Sequence, residues 1–278
     1  TQAKRRSYCC IIDHLVPVMH KADLYDNLAE LEVMVRDYYQ AASEDPEKLE
    51  GLKSTIWGKI IQAKLDRDLD IDEKTALSDF DRLLERLHEY LYEIADTQIR
   101  DGLHVLGEPP EEGRLDEFLV SLTRLQNGAV PSLRETLAAI NGYDYNQLLA
   151  GRGRHFGMKT GGQILEEIDE VSLRLVAGLR ENGFDPECIF KVEDEILGTR
   201  DARIESVLVY IIKLAQNIAL TKYELINLLS ASEGYYVPPG PSGAPTRGMA
   251  DILPTGRNFY SVDPLAIPTP AAWKVGVA

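Results

Sequence analysis

The run Asp96 to Pro110, DTQIRDGLHVLGEPP, places an imidazole and a carboxylate close together: His104 and Glu108, set among Gly102 and Gly107 and stopped by Pro109-Pro110. Imidazole and carboxylate oxygens accept protons near neutral pH, and they hold a borderline divalent ion loosely enough to release it again. Such a loop could handle a proton or a metal. Spacing alone favours a plainer reading, with Gly102 as a helix C-cap, His104 packed and Glu108 solvated. Upstream, Glu89, Glu93 and Asp96 recur at i, i+4 and i+7, one polar helix face directed towards the loop; a merely solvated face is the ordinary alternative. Near the N-terminus His14, beside Asp13, and His20 flank Pro17. Both are candidate ligands, although a packed or surface histidine fits the pattern more simply.

These groups need a scaffold, and the apolar period says that it is helical. From Leu77 the stripe runs through Phe80, Leu83, Leu84, Leu87, Leu91 and Ile94, the 3–4 spacing of one helix face. Similar stripes cover Leu24 to Tyr39 and Leu49 to Leu65, with weaker ones from Leu115 to Leu125 and from Ile164 to Leu179. The segment Ile204 to Leu229 is apolar nearly all round, which predicts a central, buried helix. Asp45-Pro46-Glu47 and Asp185-Pro186-Glu187 each put an N-cap acid before a proline at the first helical position, and Ser132 with Glu135 forms a capping box. Strand signals are confined to Cys9–Ile12 and Leu103–Leu106.

The stretch Gly234 to Pro270 differs in kind. It carries eight of the fourteen prolines, so it cannot be helical. Its Tyr235, Tyr236, Phe259 and Tyr260 are too apolar for a free linker, so it is expected to be extended yet ordered against the helices. The predicted fold is mainly α: a multi-helix bundle over 1–233, the extended Pro/Gly-rich segment 234–270 and the start of a further element at 271–278, with at most a few short strands. A chain that opens on Thr1 and closes at Ala278 as a helix begins reads as a fragment.

Composition narrows the function. With 45 acidic and 30 basic residues in 278, the net charge is −15, a field that repels nucleic-acid phosphates. Cys9, Cys10 and Cys188 match neither a disulfide framework nor a zinc spacing, which fits a reducing cytoplasmic setting. No apolar run reads as a membrane span. Gly151 to Thr160, GRGRHFGMKT, looks superficially like a phosphate loop, but Met158 separates Gly157 from Lys159. The contiguous Gly-Lys-Ser/Thr that surrounds phosphates is therefore missing.

Three stretches together resemble the large subunit of the ATP-dependent metal chelatases of tetrapyrrole biosynthesis: Ile11 to Glu32, Asp96 to Pro110, and Tyr236 to Trp273. They extend the resemblance over essentially the whole chain. The shared core is GLH…GEPP and LPTG-Arg/Lys-N…DP, here Gly102–His104, Gly107–Pro110, Leu253–Asn258 and Asp263-Pro264. The magnesium branch of the family is expected to carry Pro-Cys before GLH and Ile-His after the asparagine. This chain has Arg100-Asp101 and Phe259-Tyr260, and so resembles the cobalt branch, the CobN type. The resemblance implies part of a tetrapyrrole-binding subunit that inserts cobalt(II), as substrate ion, into hydrogenobyrinate a,c-diamide in cobalamin biosynthesis, and a fragment inactive alone. It implies ATP hydrolysis by separate AAA+ partner subunits, His104, Glu108 and Glu93 as catalytic groups, and Arg257 and Asn258 as ring contacts. Transient metal ligation would fall to His104 and Glu108, with His14 as a further ligand. Arg257 could equally serve only to pin the tail. The rival readings are a magnesium-chelatase H-type subunit binding protoporphyrin, and a helical interaction scaffold without a site.

Overall fold

The apolar stripes fold as helices. A computed structural model describes residues 9–21, 27–44, 49–95, 98–100, 102–241 and 243–260. In chain order the helices are α1 (Asn27–Glu44), α2 (Leu49–Gln62), α3 (Leu65–Asp68), α4 (Glu73–Ser78), α5 (Phe80–Ala95) and α6 (Glu112–Thr123). After them come α7 (Leu133–Ile140), α8 (Tyr145–Ala150), α9 (Gly161–Glu181), α10 (Ile189–Ile196), α11 (Ala202–Ile218) and α12 (Tyr223–Ser232). The fold is mainly α, as the periodicity predicts. The chain groups into two compact units, one of Thr1–His20, Arg100–Asn141 and Glu170–Ala278, the other of Lys21–Ile99 and Gly142–Asp169.

In the second unit α1 packs on α2 and α5 around Leu31, Val35, Ile56, Ile60, Leu84, Leu87 and Leu91, all buried. Each such side chain contributes about 1.5–3 kcal/mol by leaving water. The stripe read from Leu77 in fact starts at Phe80. Asp79 interrupts it and caps α5, its carboxylate accepting the Arg82 N–H at 3.3 Å, while Leu77 belongs to α4 and is exposed. The phosphate-loop look-alike is a hairpin, β3 (His155–Phe156) antiparallel to β4 (Lys159–Thr160), leading into α9. Lys159 reaches the Glu167 carboxylate at 2.6 Å.

The first unit is built on α11. Ile204, Val207, Leu208, Ile211, Leu214 and Ile218 are buried, and the helix packs against α6, α7 and α10. Asp201 caps it by accepting the Arg203 N–H at 2.8 Å. The run Ile204 to Leu229 does not form one buried helix. A 3-10 turn at Ala219–Lys222 divides it, with the Thr221 hydroxyl donating to the Ile218 carbonyl at 2.5 Å. Beyond the turn Leu225, Ile226, Leu228 and Leu229 are exposed. By length and composition Ala202–Ser232 would suffice to cross a membrane, yet over half of its most apolar window is buried in the fold, as in a core helix.

The start signals hold where they are described. Ser132 caps α7 by accepting the Glu135 N–H at 3.3 Å, and Asp185 caps Pro186–Cys188 by accepting the Glu187 N–H at 2.9 Å. Asp45-Pro46-Glu47 lies outside the described residues. Strands are few and short: β1 (Met19–Lys21) pairs with β2 (Gln98–Arg100). Leu103–Leu106 is not a strand; it leads into a turn at Leu106-Gly107, closed by the Glu108 N–H on the Val105 carbonyl at 3.1 Å. Of Cys9–Ile12, only Ile12 pairs, opposite Asn258. The proline-rich segment is non-α-helical over its described residues up to 260 and packs in part, but Tyr235 and Tyr236, expected to be covered, are exposed. It forms β5 (Pro239–Pro241) parallel to β6 (Asn258–Tyr260), with 3-10 turns at Pro245–Arg247 and Ala250–Ile252. Val237, Ala250, Ile252 and Leu253 are buried, and the Asn127 side chain accepts the Ala250 N–H at 2.9 Å. Residues 261–270 lie outside the described residues.

One buried acid is poorly served. Glu193 on α10 is fully buried, and neither carboxylate oxygen has a hydrogen-bond partner among the described residues. Burial pushes its pKa up, and the nearby Asp201 backbone N–H offsets this only in part. The folded chain thus binds this proton more tightly than the unfolded chain. The favourable contribution is complete below the ordinary glutamate range and is lost as pH rises through the raised folded value. Glu193→Gln, neutral at every pH, is therefore expected to raise stability at pH 7.5 by about 1–3 kcal/mol and to change it little at pH 4. Urea midpoints at the two pH values check this; an equal change at both would rule out the ionisation account.

Candidate functional site

Three irregular segments, distant in sequence, converge on the first turn of α12. Irregular backbone leaves N–H groups that need acceptors once they are covered, and one side chain accepts two of them. Glu224 is fully buried. Its Oε1 accepts the Leu15 N–H at 2.6 Å and the Thr255 hydroxyl at 2.5 Å. Its Oε2 meets His104 Nε2 at 2.5 Å and accepts the Gly107 N–H at 3.1 Å. Position in the first turn also suits an acid, because the helix N-terminus carries partial positive charge.

Two motif glycines are explained here. Gly256, at φ 84°, lies so close to α12 that a Cβ would stand 2.6 Å from the Glu224 backbone nitrogen and 2.7 Å from the Tyr223 carbonyl carbon. Gly107, at φ 83°, would bring a Cβ within 3.1 Å of Leu225 Cβ. Only glycine combines that backbone conformation with that approach.

A second set of bonds ties the N-terminal segment to the tail. The Asp13 carboxylate accepts the Arg257 N–H at 2.6 Å, and the Asp13 N–H donates to the Arg257 carbonyl at 3.0 Å. Burial raises the Asp13 pKa, with the Arg257 N–H and charge acting the other way. The Gly256 N–H donates to the Asp13 carbonyl at 3.1 Å and the Phe259 N–H to the Ile11 carbonyl at 3.0 Å.

His104 and His14 come together. Their rings stack with centroids 5.8 Å apart and planes 5° apart; His14 is exposed, its Nδ1 donating to the Leu15 carbonyl at 2.8 Å. A groove of about 830 Å³ opens beside His104, its lining including Val16, Pro17, Leu103, Glu108 and Arg114. Glu111, Glu112 and Glu117 add three further carboxylates to its lining. The groove lining thus combines apolar side chains with several carboxylates. Among the described residues no three His, Cys, Asp or Glu side chains are grouped to hold a metal ion. The same groove lining nonetheless contains both His104 and Glu108, the two residues expected as transient ligands.

The remaining expected site residues are placed as follows. Arg257 turns to its own segment: Nη2 donates to the Ile252 carbonyl, Nε is buried without a hydrogen-bond partner among the described residues, and the guanidinium packs on Gly240, where a Cβ would clash at 2.5 Å. Asn258 accepts the Ile11 N–H at 3.3 Å and gives its own N–H to the Pro238 carbonyl at 2.9 Å. Glu93 is on α5, but its side chain, those of His20 and of Asp96 lie outside the described residues. Glu89 is exposed. Glu224 itself was not legible as a site residue: an acid at the start of a helix is commonplace, and nothing in its spacing links it to His104.

A profile of the CobN/Magnesium Chelatase family matches residues 1–278. The chain belongs to that family. It is 36% identical to the aerobic cobaltochelatase subunit CobN of Sinorhizobium sp., over 99% of this chain and 23% of that protein. Identity to the magnesium-chelatase subunit ChlH of Oryza sativa subsp. indica is 28%, over 99% of this chain and 21% of that protein. A solved structure of the catalytic subunit of cobaltochelatase from Mycobacterium tuberculosis superposes with a TM-score of 0.81 at 35% identity, over 99% of this chain and 22% of that one. The chain therefore spans less than a quarter of the length of these relatives. The higher identity lies with the CobN-type members, in line with Arg100-Asp101 and Phe259-Tyr260.

Proposed function

We propose that this chain forms part of the large, tetrapyrrole-binding subunit of a cobaltochelatase that inserts cobalt(II) into hydrogenobyrinate a,c-diamide in cobalamin biosynthesis. AAA+ partner subunits would hydrolyse ATP, and the assembly would work in the cytoplasm. The observation that carries this reading is the convergence of GLH…GEPP, the LPTG segment and the N-terminal segment on Glu224, beside a groove lined by both apolar and acidic side chains. The apolar part of that lining suits the face or edge of a large conjugated ring. Insertion of a divalent ion exchanges two pyrrole N–H protons for the metal, so it requires proton acceptors and weak oxygen or nitrogen ligands that strip water from the ion and release it.

In this reading His104 and Glu108 accept the protons, with His104, Glu108 and, more distantly, His14 as transient cobalt contacts. Glu93 is retained as a third candidate acceptor from the family resemblance. Arg257 and Asn258 were expected to touch the ring; their bonds to the N-terminal segment and within the tail support a pinning role. The test is ring binding by the full-length subunit, followed by quenching of its intrinsic fluorescence. Hydrogenobyrinate a,c-diamide is expected to bind at least about tenfold more tightly than protoporphyrin, a difference of about 1.4 kcal/mol. The reverse preference would assign the chain to magnesium chemistry, and binding of neither would leave a scaffold.

A further inference from the structure

We propose that Glu224 is a positioning residue that fixes the tautomer of His104 and so selects Nδ1 as the nitrogen that takes up a ring proton. This deepens the chelatase reading and rests on it. Four partners surround the buried Glu224 carboxylate: the Leu15 and Gly107 N–H groups, the Thr255 hydroxyl and His104 Nε2. The two backbone groups can only donate, and the hydroxyl and imidazole can also donate. A carboxylate, which only accepts, serves all four at once, whereas a protonated acid would place a proton against this ring of donors. His104 Nε2 therefore carries a hydrogen, and in a neutral imidazole the lone pair is then on Nδ1. The arrangement follows the logic of a buried acid that orients a catalytic histidine and stabilises the imidazolium formed when it accepts a proton.

The step balances simply. A pyrrole N–H bond breaks as the Nδ1–H bond forms, and the electron pair stays on the ring nitrogen for cobalt(II). The new positive charge on His104 faces the negative charge of Glu224. The second pyrrole proton leaves to a different acceptor, for which Glu108 in the same groove lining is available. The neighbouring ring of His14 stacks on His104 but bonds its own Nδ1 to the Leu15 carbonyl, so its exchange of protons is not directed at Glu224.

Two measurements test this. In the histidine-labelled chain, nitrogen NMR is expected to show His104 as the Nε2–H tautomer, and Glu224→Gln, whose amide can donate, is expected to shift it towards Nδ1–H. A wild-type Nδ1–H tautomer overturns the proposal, and decides alone where the variant does not fold. In the full-length subunit with its ATPase partners, cobalt(II) and hydrogenobyrinate a,c-diamide, Glu224→Gln is expected to slow insertion by about 100-fold or more. In a His104→Ala background the same change should cost less than about threefold, because its effect runs through the imidazole. An equal cost in both backgrounds makes Glu224 a structural tie only and sinks the positioning role. Normal insertion by His104→Ala alone removes the chelation reading of this site and with it the positioning role, whereas the tautomer result then still reports whether the geometric assignment was sound.

Discussion

Metal insertion by the full-length subunit is expected to fall about 100-fold or more when His104 becomes alanine or Glu108 becomes glutamine, with ring affinity changed by less than about threefold. The reasoning is chemical. Both side chains line one groove, and only they, among the residues of the GLH…GEPP run, can accept a proton near neutral pH. Neither contributes much apolar surface to that groove, so truncation should spare ring binding while removing the acceptor. A loss of this kind appears in the rate with saturating ring, not in the concentration of ring required. Should both variants insert cobalt at the normal rate, the two residues are structural and proton acceptance belongs elsewhere. Should ring binding collapse instead, they are recognition elements and the groove is a docking face for the ring.

The second large effect concerns stability. Gly256→Ala is expected to destabilise the unit containing α12 by about 3–5 kcal/mol. A Cβ at this position would lie 2.6 Å from the Glu224 nitrogen, 2.7 Å from the Tyr223 carbonyl carbon and 2.9 Å from its oxygen. These are backbone atoms at the start of a helix and cannot rotate aside. The φ of 84° adds strain for any residue with a side chain. Gly243, in the same proline-rich segment, is the control: its Cβ would meet the end of the flexible Met249 side chain at 2.7 Å, so Gly243→Ala is expected to cost less than about 1.5 kcal/mol. Urea midpoints of the two variants against the parent chain decide; equal midpoints would mean that the tail adapts and that the contact of Gly256 with α12 is not rigid.

The helices were legible because a 3.6-residue period survives in Phe80 to Leu91 or in Ile204 to Ile218 whatever the tertiary context. The break at Ala219–Lys222 was not, since it contains neither glycine nor proline and Ala219 and Leu220 carry the apolar run into it before Leu225 resumes it. For the same reason the exposed face of α12 looked like core. Within the site, His104 and Glu108 were readable because the chain itself sets them side by side. Leu15, Thr255 and Glu224 were not, because only the fold brings residues 209 and 31 positions apart onto one carboxylate. The motif TGRN was visible as a motif, but the inward turn of Arg257 towards Gly240 and Ile252 depends on the path of a proline-rich segment that has no period to read.

The two oxygens of Glu224 divide their labour. Oε1 holds the N-terminal segment and the tail, through Leu15 and Thr255, while Oε2 holds the loop alone, through His104 and Gly107. The clasp can therefore come undone by halves. Loss of the two Oε2 bonds would leave the Oε1 bonds and the independent pairing of Asp13 with Arg257 to keep the other two segments in register. The N-terminal segment and the tail thus share a support that does not pass through the loop carrying His104 and Glu108.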